Sequence, residues 1–351
     1  MISEVIMKKA ILSFLLLSLS FYGFSLPKLF SEDSADAYNI KNISVDLSWE
    51  NLIIQQSNDS QTIFVYIYCN KYDYVPSVSF SNSKLTIKSK KTSGFFFNNY
   101  DCTVIVKLPS SASFDVVALR TTSGDINSET GIEAGVLYVV STSGDQAFAL
   151  RTNADDTSFT ATSGDIKIDS SIGAKLKVET TSGSITVGQF EGTMLSAKAT
   201  SGTIKLSQIY TEDAFIDTTS GSISLDGTVT ENLDVNATSG TVGLILQTVP
   251  ADKTAVSTTS GTIFTALPGN ADFSIIAKTT SGAFINTMTG EKVSSSVNYK
   301  RDMNEGGPLV MFSATSGRVT LDSIEGNYPV VNIGKETESD IPVVSFDDPI
   351  F

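Results

Sequence analysis

Residues 218–225 read Thr218-Thr219-Ser220-Gly221-Ser222-Ile223-Ser224-Leu225. Nineteen residues earlier the chain reads ATSGTIKL, and nineteen later ATSGTVGL. Thr-Ser-Gly ends at Gly94, Gly124, Gly144, Gly164, Gly183, Gly202, Gly221, Gly240, Gly261, Gly282 and Gly317. The gaps are 30, 20, 20, 19, 19, 19, 19, 21, 21 and 35 residues. A period near 20 marks an array of short units, each burying its apolar face against the next.

Aligning the units from Gly124 onward on their glycine exposes the pattern inside each one. Seven residues before it stand Val117, Leu137, Leu176, Leu195 and Leu233, and five before it Leu119, Val139, Phe159, Val178 and Ile216. Three before it, only Thr, Ser or Ala occurs. Two after it stand Ile126, Ile166, Ile185, Ile204, Ile223 and Val242, and four after it Ile168, Val187, Leu206, Leu225 and Leu244. Period-two alternation means strands with one buried face. The phase slips by one across the glycine, which marks a bulge or sharp bend. No 3.6-residue period is present, and a propeller blade needs about 40 residues, twice this unit.

The expected fold is therefore all-β: a single-stranded parallel β-helix, or β-solenoid, of about ten coils of 19–21 residues. It is expected to be right-handed, with a β-rich N-terminal cap. The repeated corner comprises Ser123 and Gly124, Ser143 and Gly144, Ser163 and Gly164, Ser182 and Gly183, Ser201 and Gly202, Ser220 and Gly221, Ser239 and Gly240, Ser260 and Gly261, Ser281 and Gly282, and Ser316 and Gly317. Stacked in register, the serine column is expected to point inward and the threonine column outward. The outer Thr strip has a second reading, as a surface for ordered water, ice or sugar. Solenoid ends expose strand edges and need caps. Residues 41–108 read as that cap or as degenerate first coils, 109–325 as the array, and 326–351 as a tail limited by Pro329, Pro342 and Pro349, or as a cap on the other end.

Residues 1–25 carry Lys8 and Lys9, an apolar run from Ala10 to Leu19, and the small residues Gly23 and Ser25. This is the layout of a secretory signal peptide, too short to span a bilayer. Residues 26–40 follow as a polar linker. The expected location is outside the cytoplasm, in the periplasm or at the cell surface, with no transmembrane segment in the mature chain. Cys69 and Cys102 are the two cysteines. In an exported chain they form either a disulfide across neighbouring strands or a pair of buried thiols.

The formal net charge is −14. That acidity disfavours nucleic acid and anionic lipid as partners and permits cations, basic peptides or glycans. The chain has no His, which removes Ser-His-Asp and Cys-His catalysis and His-bearing zinc sites. No cofactor-binding motif is present. Asp125, Asp145 and Asp165 follow the glycine in three consecutive units. A stack of carboxylates suits a Ca²⁺ ion or a glycosidase pair; the alternative is a turn residue bonding backbone amides. Two insertions offer contact loops: one holds Phe95, Phe96 and Phe97, the other Tyr299, Lys300 and Arg301.

Residues 104–126, VIVKLPSSASFDVVALRTTSGDI, contain Leu108-Pro109 and then Ser123-Gly124-Asp125-Ile126; Ser163-Gly164-Asp165-Ile166 repeats the turn. This resembles the bacterial family of putative adhesins, β-strand-repeat proteins of unknown function. The resemblance spans about residues 40–325 and includes the long final unit before Ser316-Gly317-Arg318-Val319. It implies a β-helix at the cell envelope and brings no catalytic residues. The middle units depart from it by carrying Ser or Thr in place of Asp.

Together these readings give an exported, non-enzymatic envelope or surface binding module with a glycan or protein ligand. The rivals are a scaffold that stacks into fibres, a carbohydrate-active enzyme, and an envelope-stress sensor capturing cationic peptides.

Overall fold

The computed structural model describes residues 28–90 and 100–324. The expected signal peptide, the Phe95–Phe97 insertion and the tail beyond 326 lie outside the described residues. The strands are β1 (Lys28–Asp36), β2 (Asn42–Asp46), β3 (Asn51–Gln56), β4 (Thr62–Cys69), β5 (Ser77–Ser81), β6 (Lys84–Lys88), β7 (Cys102–Leu108), β8 (Ser113–Thr121) and β9 (Ile126–Ser128). Next come β10 (Ile132–Ser141), β11 (Gln146–Phe148), β12 (Thr152–Ala161), β13 (Ile166–Ile172), β14 (Lys175–Thr180), β15 (Ile185–Ser201), β16 (Ile204–Ser220) and β17 (Ile223–Leu246). The last are β18 (Lys253–Pro268), β19 (Phe273–Asn286), β20 (Glu291–Ser294), β21 (Val297–Met303) and β22 (Leu309–Ile324).

The protein is all-β and β-solenoid-like. In the first repeats the glycine separates a leading from a trailing strand, whereas β17, β18, β19 and β22 run on through Gly240, Gly261, Gly282 and Gly317; in both cases the segments on either side pair in parallel with those of the neighbouring layer. Leading strands stack as β8, β10, β12 and β14. Trailing strands stack as β9, β11, β13 and β15. The register is that of the motif: Ile185 lies beside Ile204, and Ile204 beside Ile223. Both predicted phases are buried, as Val117, Leu119, Ile126, Ile204 and Val242 show. A single apolar cluster runs through the molecule from Ile40 to Leu321.

The stacking order departs from chain order at both ends. β22 lies between β18 and β19, pairing in parallel with both. The final repeat therefore returns into the array instead of extending it. Each corner presents bare glycine backbone to the next, so β22 fits against β18 where β19 would otherwise lie. The excursion through β20 and β21 gives the chain the length to double back. At the other end, β2 and β3 lie between β6/β7 and β8/β9. Residues 41–108 thus supply two parallel layers as well as capping strands.

Antiparallel strands close the array. β4 pairs with β7, β1 with β4, and β5 with β6. At the opposite end, β20 and β21 pair with β19. The segment expected as a linker is thus largely strand β1. A capping strand needs backbone hydrogen bonds more than an apolar row, so KLFSEDSAD gave no sequence signal. Cys69 and Cys102 are cross-strand partners joined by a disulfide, with Cα atoms 4.2 Å apart.

Glycine is required at the corner because of close approach. A Cβ on Gly144 would lie 1.9 Å from the Gly124 carbonyl oxygen. At Gly221 it would lie 2.0 Å from the Gly202 oxygen, and φ is +157°. Gly221→Ala is expected to lower stability by about 2–3 kcal/mol. Gly243→Ala, whose Cβ meets nothing nearer than 3.9 Å, should change it by less than about 0.5 kcal/mol. Chemical denaturation of the two variants checks this.

Candidate functional site

The corners form one continuous column. Each glycine sits against the carbonyl of the corner below, in the order Gly124, Gly144, Gly164, Gly183, Gly202, Gly221, Gly240, Gly261, Gly317 and Gly282. The column starts on Glu50, whose carbonyl oxygen faces Gly124. Ser48-Trp49-Glu50-Asn51 thus stands where later repeats have Thr-Ser-Gly-Asp. Its register in the ladder identifies it as a corner; its sequence does not.

The serine column is corrected by the structure. Ser143, Ser163, Ser182, Ser201, Ser220, Ser239, Ser260, Ser281 and Ser316 are exposed, and Ser123 is half-buried. The threonines before them are exposed too. The inward position is the one three before glycine, where Thr121, Ser141, Thr180, Thr218, Thr258 and Thr279 are buried. The bend places two successive side chains outside before the phase resumes at the residue two after glycine. Thr121 accepts the Gly124 N–H, and Thr180 donates to the Gly164 carbonyl.

Asp125, Asp145 and Asp165 are brought into one ladder. The Asp125 carboxylate accepts the Asp145 N–H at 2.9 Å, Asp145 accepts that of Asp165 at 2.8 Å, and Asp165 accepts that of Ser184 at 2.7 Å. Asn51 begins the series by accepting the Asp125 N–H at 2.9 Å. Each side chain therefore ties its corner to the next and satisfies an amide the bend leaves open. Beyond Ser184 this ladder ends and the backbone changes. Gly202 and Gly221 adopt φ of +152° and +157°, and their own N–H groups bond to Ser220 and Ser239 of the next corner. Among the described residues no cluster of three or more Cys, Asp or Glu is arranged to hold a metal ion.

Glu50 is buried at the foot of the column. Its carboxylate accepts the N–H groups of Ser48 and Trp49, both at 2.9 Å, and the hydroxyls of Ser89 at 2.5 Å and Tyr100 at 3.1 Å. Burial first, and then the Glu50 charge, push the Tyr100 phenol well above its ordinary range. The residues expected in a contact loop at the other end lie within β21. Tyr299 donates to Glu291 and packs its ring 4.6 Å from that of Phe284. Arg301 bonds Glu291 at 2.6 Å. Lys300 remains exposed.

Exposed aromatic surface collects at the N-terminal end. Among the described residues, five of the nine exposed large apolar side chains are Leu29, Phe30, Tyr38, Trp49 and Tyr72. Tyr38 is 83% exposed and Tyr72 75%. The Phe30 and Tyr72 rings lie 5.3 Å apart, and the Lys41 ammonium lies 5.6 Å from the Tyr38 ring centre. A hollow of about 540 Å³, lined by Asp36, Tyr38, Lys41, Gln61 and Ser111, opens at this end. Sequence reading passed over these residues because they belong to no repeat.

The Toastrack DUF4097 family model matches residues 40–208 and 175–322. The chain belongs to this family. No curated protein matches. Among solved structures, a putative cell adhesion protein from Clostridium sporogenes is 10% identical over 85% of this chain and 100% of that one, with a TM-score of 0.25. A putative adhesin from Parabacteroides merdae is 11% identical over 85% and 97%, with a TM-score of 0.44. A putative lipid binding protein from Parabacteroides distasonis is 13% identical over 84% and 96%, with a TM-score of 0.38. No helix among the described residues is long and apolar enough to cross a membrane.

The Asp ladder gives a direct test. Asp145→Ala should cost about 1 kcal/mol of stability. Asp145→Asn should cost much less, since Asn51 already fills this role. Added Ca²⁺ should leave the unfolding midpoint unchanged, as monitored by thermal denaturation with and without the ion.

Proposed function

We propose that the chain is an exported, non-enzymatic binding module of the cell envelope or cell surface, with adhesion as its role. The rod is a parallel β-helix of about ten repeats, right-handed as parallel crossovers almost always are. The observation that carries this reading is the concentration of exposed aromatic surface at one end of a regular stack. Two exposed groups flank the terminal strand β1, Phe30 with Tyr72 beside its Lys28 end and Tyr38 with its hollow beside its Asp36 end, and exposed apolar side chains grouped on a surface mark contact sites. Along the rest of the array, Gly and Asp of the motif hold one corner to the next. The repeat is a spacer and the N-terminal end is the contact surface, toward a glycan or protein ligand.

Aromatic side chains suit both ligand classes, because their faces pack on sugar rings and on apolar protein surface alike. Tyr38→Ala combined with Tyr72→Ala should leave stability within about 0.5 kcal/mol. The same variant should reduce binding on glycan and host-protein arrays at least tenfold. Undiminished binding would remove the N-terminal end as the contact surface. Protease treatment of intact cells tests the location: rapid loss of the protein is expected for a surface rod, whereas full protection until permeabilisation would confine it to an internal compartment and end the adhesin reading.

A further inference from the structure

The two ladders end unevenly at the N-terminal tip. The leading ladder runs β8, β2, β6, β5 and stops. The trailing ladder runs β9, β3, β7, β4, β1 and is one strand longer. The free edge of β5 is therefore recessed by one strand spacing, about 4.8 Å. Among the described residues β5 pairs with β6 alone.

Among the described residues, that edge lacks the usual protection. The other strands at the ends of the array all carry charge: Lys28, Glu32, Asp33 and Asp36 in β1, Glu291 and Lys292 in β20, Lys300, Arg301 and Asp302 in β21. β5 reads SVSFS and carries none. Edge strands are normally blunted by charge, proline or a bulge, and an uncharged regular edge accepts another strand. Its serines are exposed, while Val78 and Phe80 pack against the core.

The recess selects the occupant. Two copies cannot meet β5 to β5, because the overhanging β1 strands would collide. One extended segment fits and would bring the two ladders level. The chain contains such a segment outside the described residues. Val75-Pro76-Ser77-Val78-Ser79-Phe80-Ser81 leads into and forms β5; Ile341-Pro342-Val343-Val344-Ser345-Phe346-Asp347 repeats its Pro, Val, Ser and Phe at the same spacing. Val344 and Phe346 match the two residues that β5 turns to the core. Asp347 matches the exposed Ser81, whose β6 partner is Lys84.

Reach decides between the same molecule and another. From β22 to the recess, the trailing ladder counts twelve strand spacings, because β17 passes through two layers, about 58 Å. The nineteen residues from Ile324 to Val343 span about 65 Å only when fully extended. Docking within one molecule would stretch the tail nearly taut, at high entropic cost. We propose that residues 341–347 of one copy add as a strand to the free edge of β5 in a second copy. Each copy has one donor and one acceptor, so the contact is heterologous and builds linear head-to-tail chains of rods.

The test is complementation, read by sedimentation of the full chain. The unaltered chain should form oligomers that grow with concentration. An acceptor variant, Ser79→Glu, and a donor variant, Val344→Asp with Phe346→Asp, should each be monomeric. Mixed one to one, they should form a dimer and nothing larger. A synthetic peptide of residues 339–348 should bind the donor variant and break up wild-type oligomers. Circular dichroism and denaturation midpoints matching the wild type confirm that both variants fold. A wild-type monomer at all concentrations, oligomers that survive both variants, or a mixture that stays monomeric would each overturn the proposal. A monomer whose β5 amides lose exchange protection only in the donor variant would place the tail on its own molecule and overturn the second-copy assignment.

Discussion

The structure depends on a carbonyl oxygen occupying the space where a β-carbon would be. At each corner the glycine lies so close to the corner below that a Cβ would fall within about 2 Å of backbone oxygen. The motif is thus a spacing requirement written in sequence. Repetition follows, because each layer must present the same bare backbone to its neighbour. Burial then follows from repetition: with corners in register, the Val, Ile, Leu and Phe rows of successive strands align into one continuous core.

Two solutions to the corner coexist in one chain. In the first part of the array, an Asn or Asp carries the bond from one corner to the next, and the residue after glycine receives it. At Gly202 and Gly221, the glycine backbone carries that bond through its own N–H. The change of Asp to Ser or Thr in the middle repeats coincides with this change of backbone. The residue after glycine is set by local hydrogen bonding, and a row of three carboxylates arises without any ligand to explain it. The surface left for recognition is then the outer strip and the ends of the rod, which is why the exposed aromatic residues near Tyr38 and Tyr72 carry the functional reading.

Much of this was legible in the sequence. Period-two alternation and the slip at glycine placed the strands, the corners and the buried rows, because burial on one strand face is a local consequence of pattern. The outward Thr and inward small columns also followed from parity. The serine column did not, since a bend can place two adjacent side chains outside, and pattern alone does not reveal its angle. The position of β22 was hidden for the opposite reason: the shared Thr-Ser-Gly motif makes stacking partners interchangeable in sequence, and only the path of the connecting chain chooses among them. β1 was hidden because a capping strand lacks apolar alternation. Glu50 was hidden because its place in the glycine column comes from register, and a buried carboxylate bonded by two amides and two hydroxyls has no motif. The N-terminal aromatic surface lay outside the repeat and so outside the pattern that organised the rest.

The most direct measurement is of the order of the corner column at its C-terminal end. Ser260 pairs with Ser316, and Ser316 with Ser281. Cysteines at 260 and 316 should therefore form a disulfide under mild oxidation, since adjacent strands bring Cα atoms within bonding range. Cysteines at 260 and 281 lie two strand spacings apart, about 9.6 Å, and should remain free. Mass spectrometry of the oxidised double variants reads both. A 260–316 bond with free 260 and 281 thiols is the predicted result; a 260–281 bond with free 260 and 316 thiols would contradict the stacked glycine order on which the structure rests.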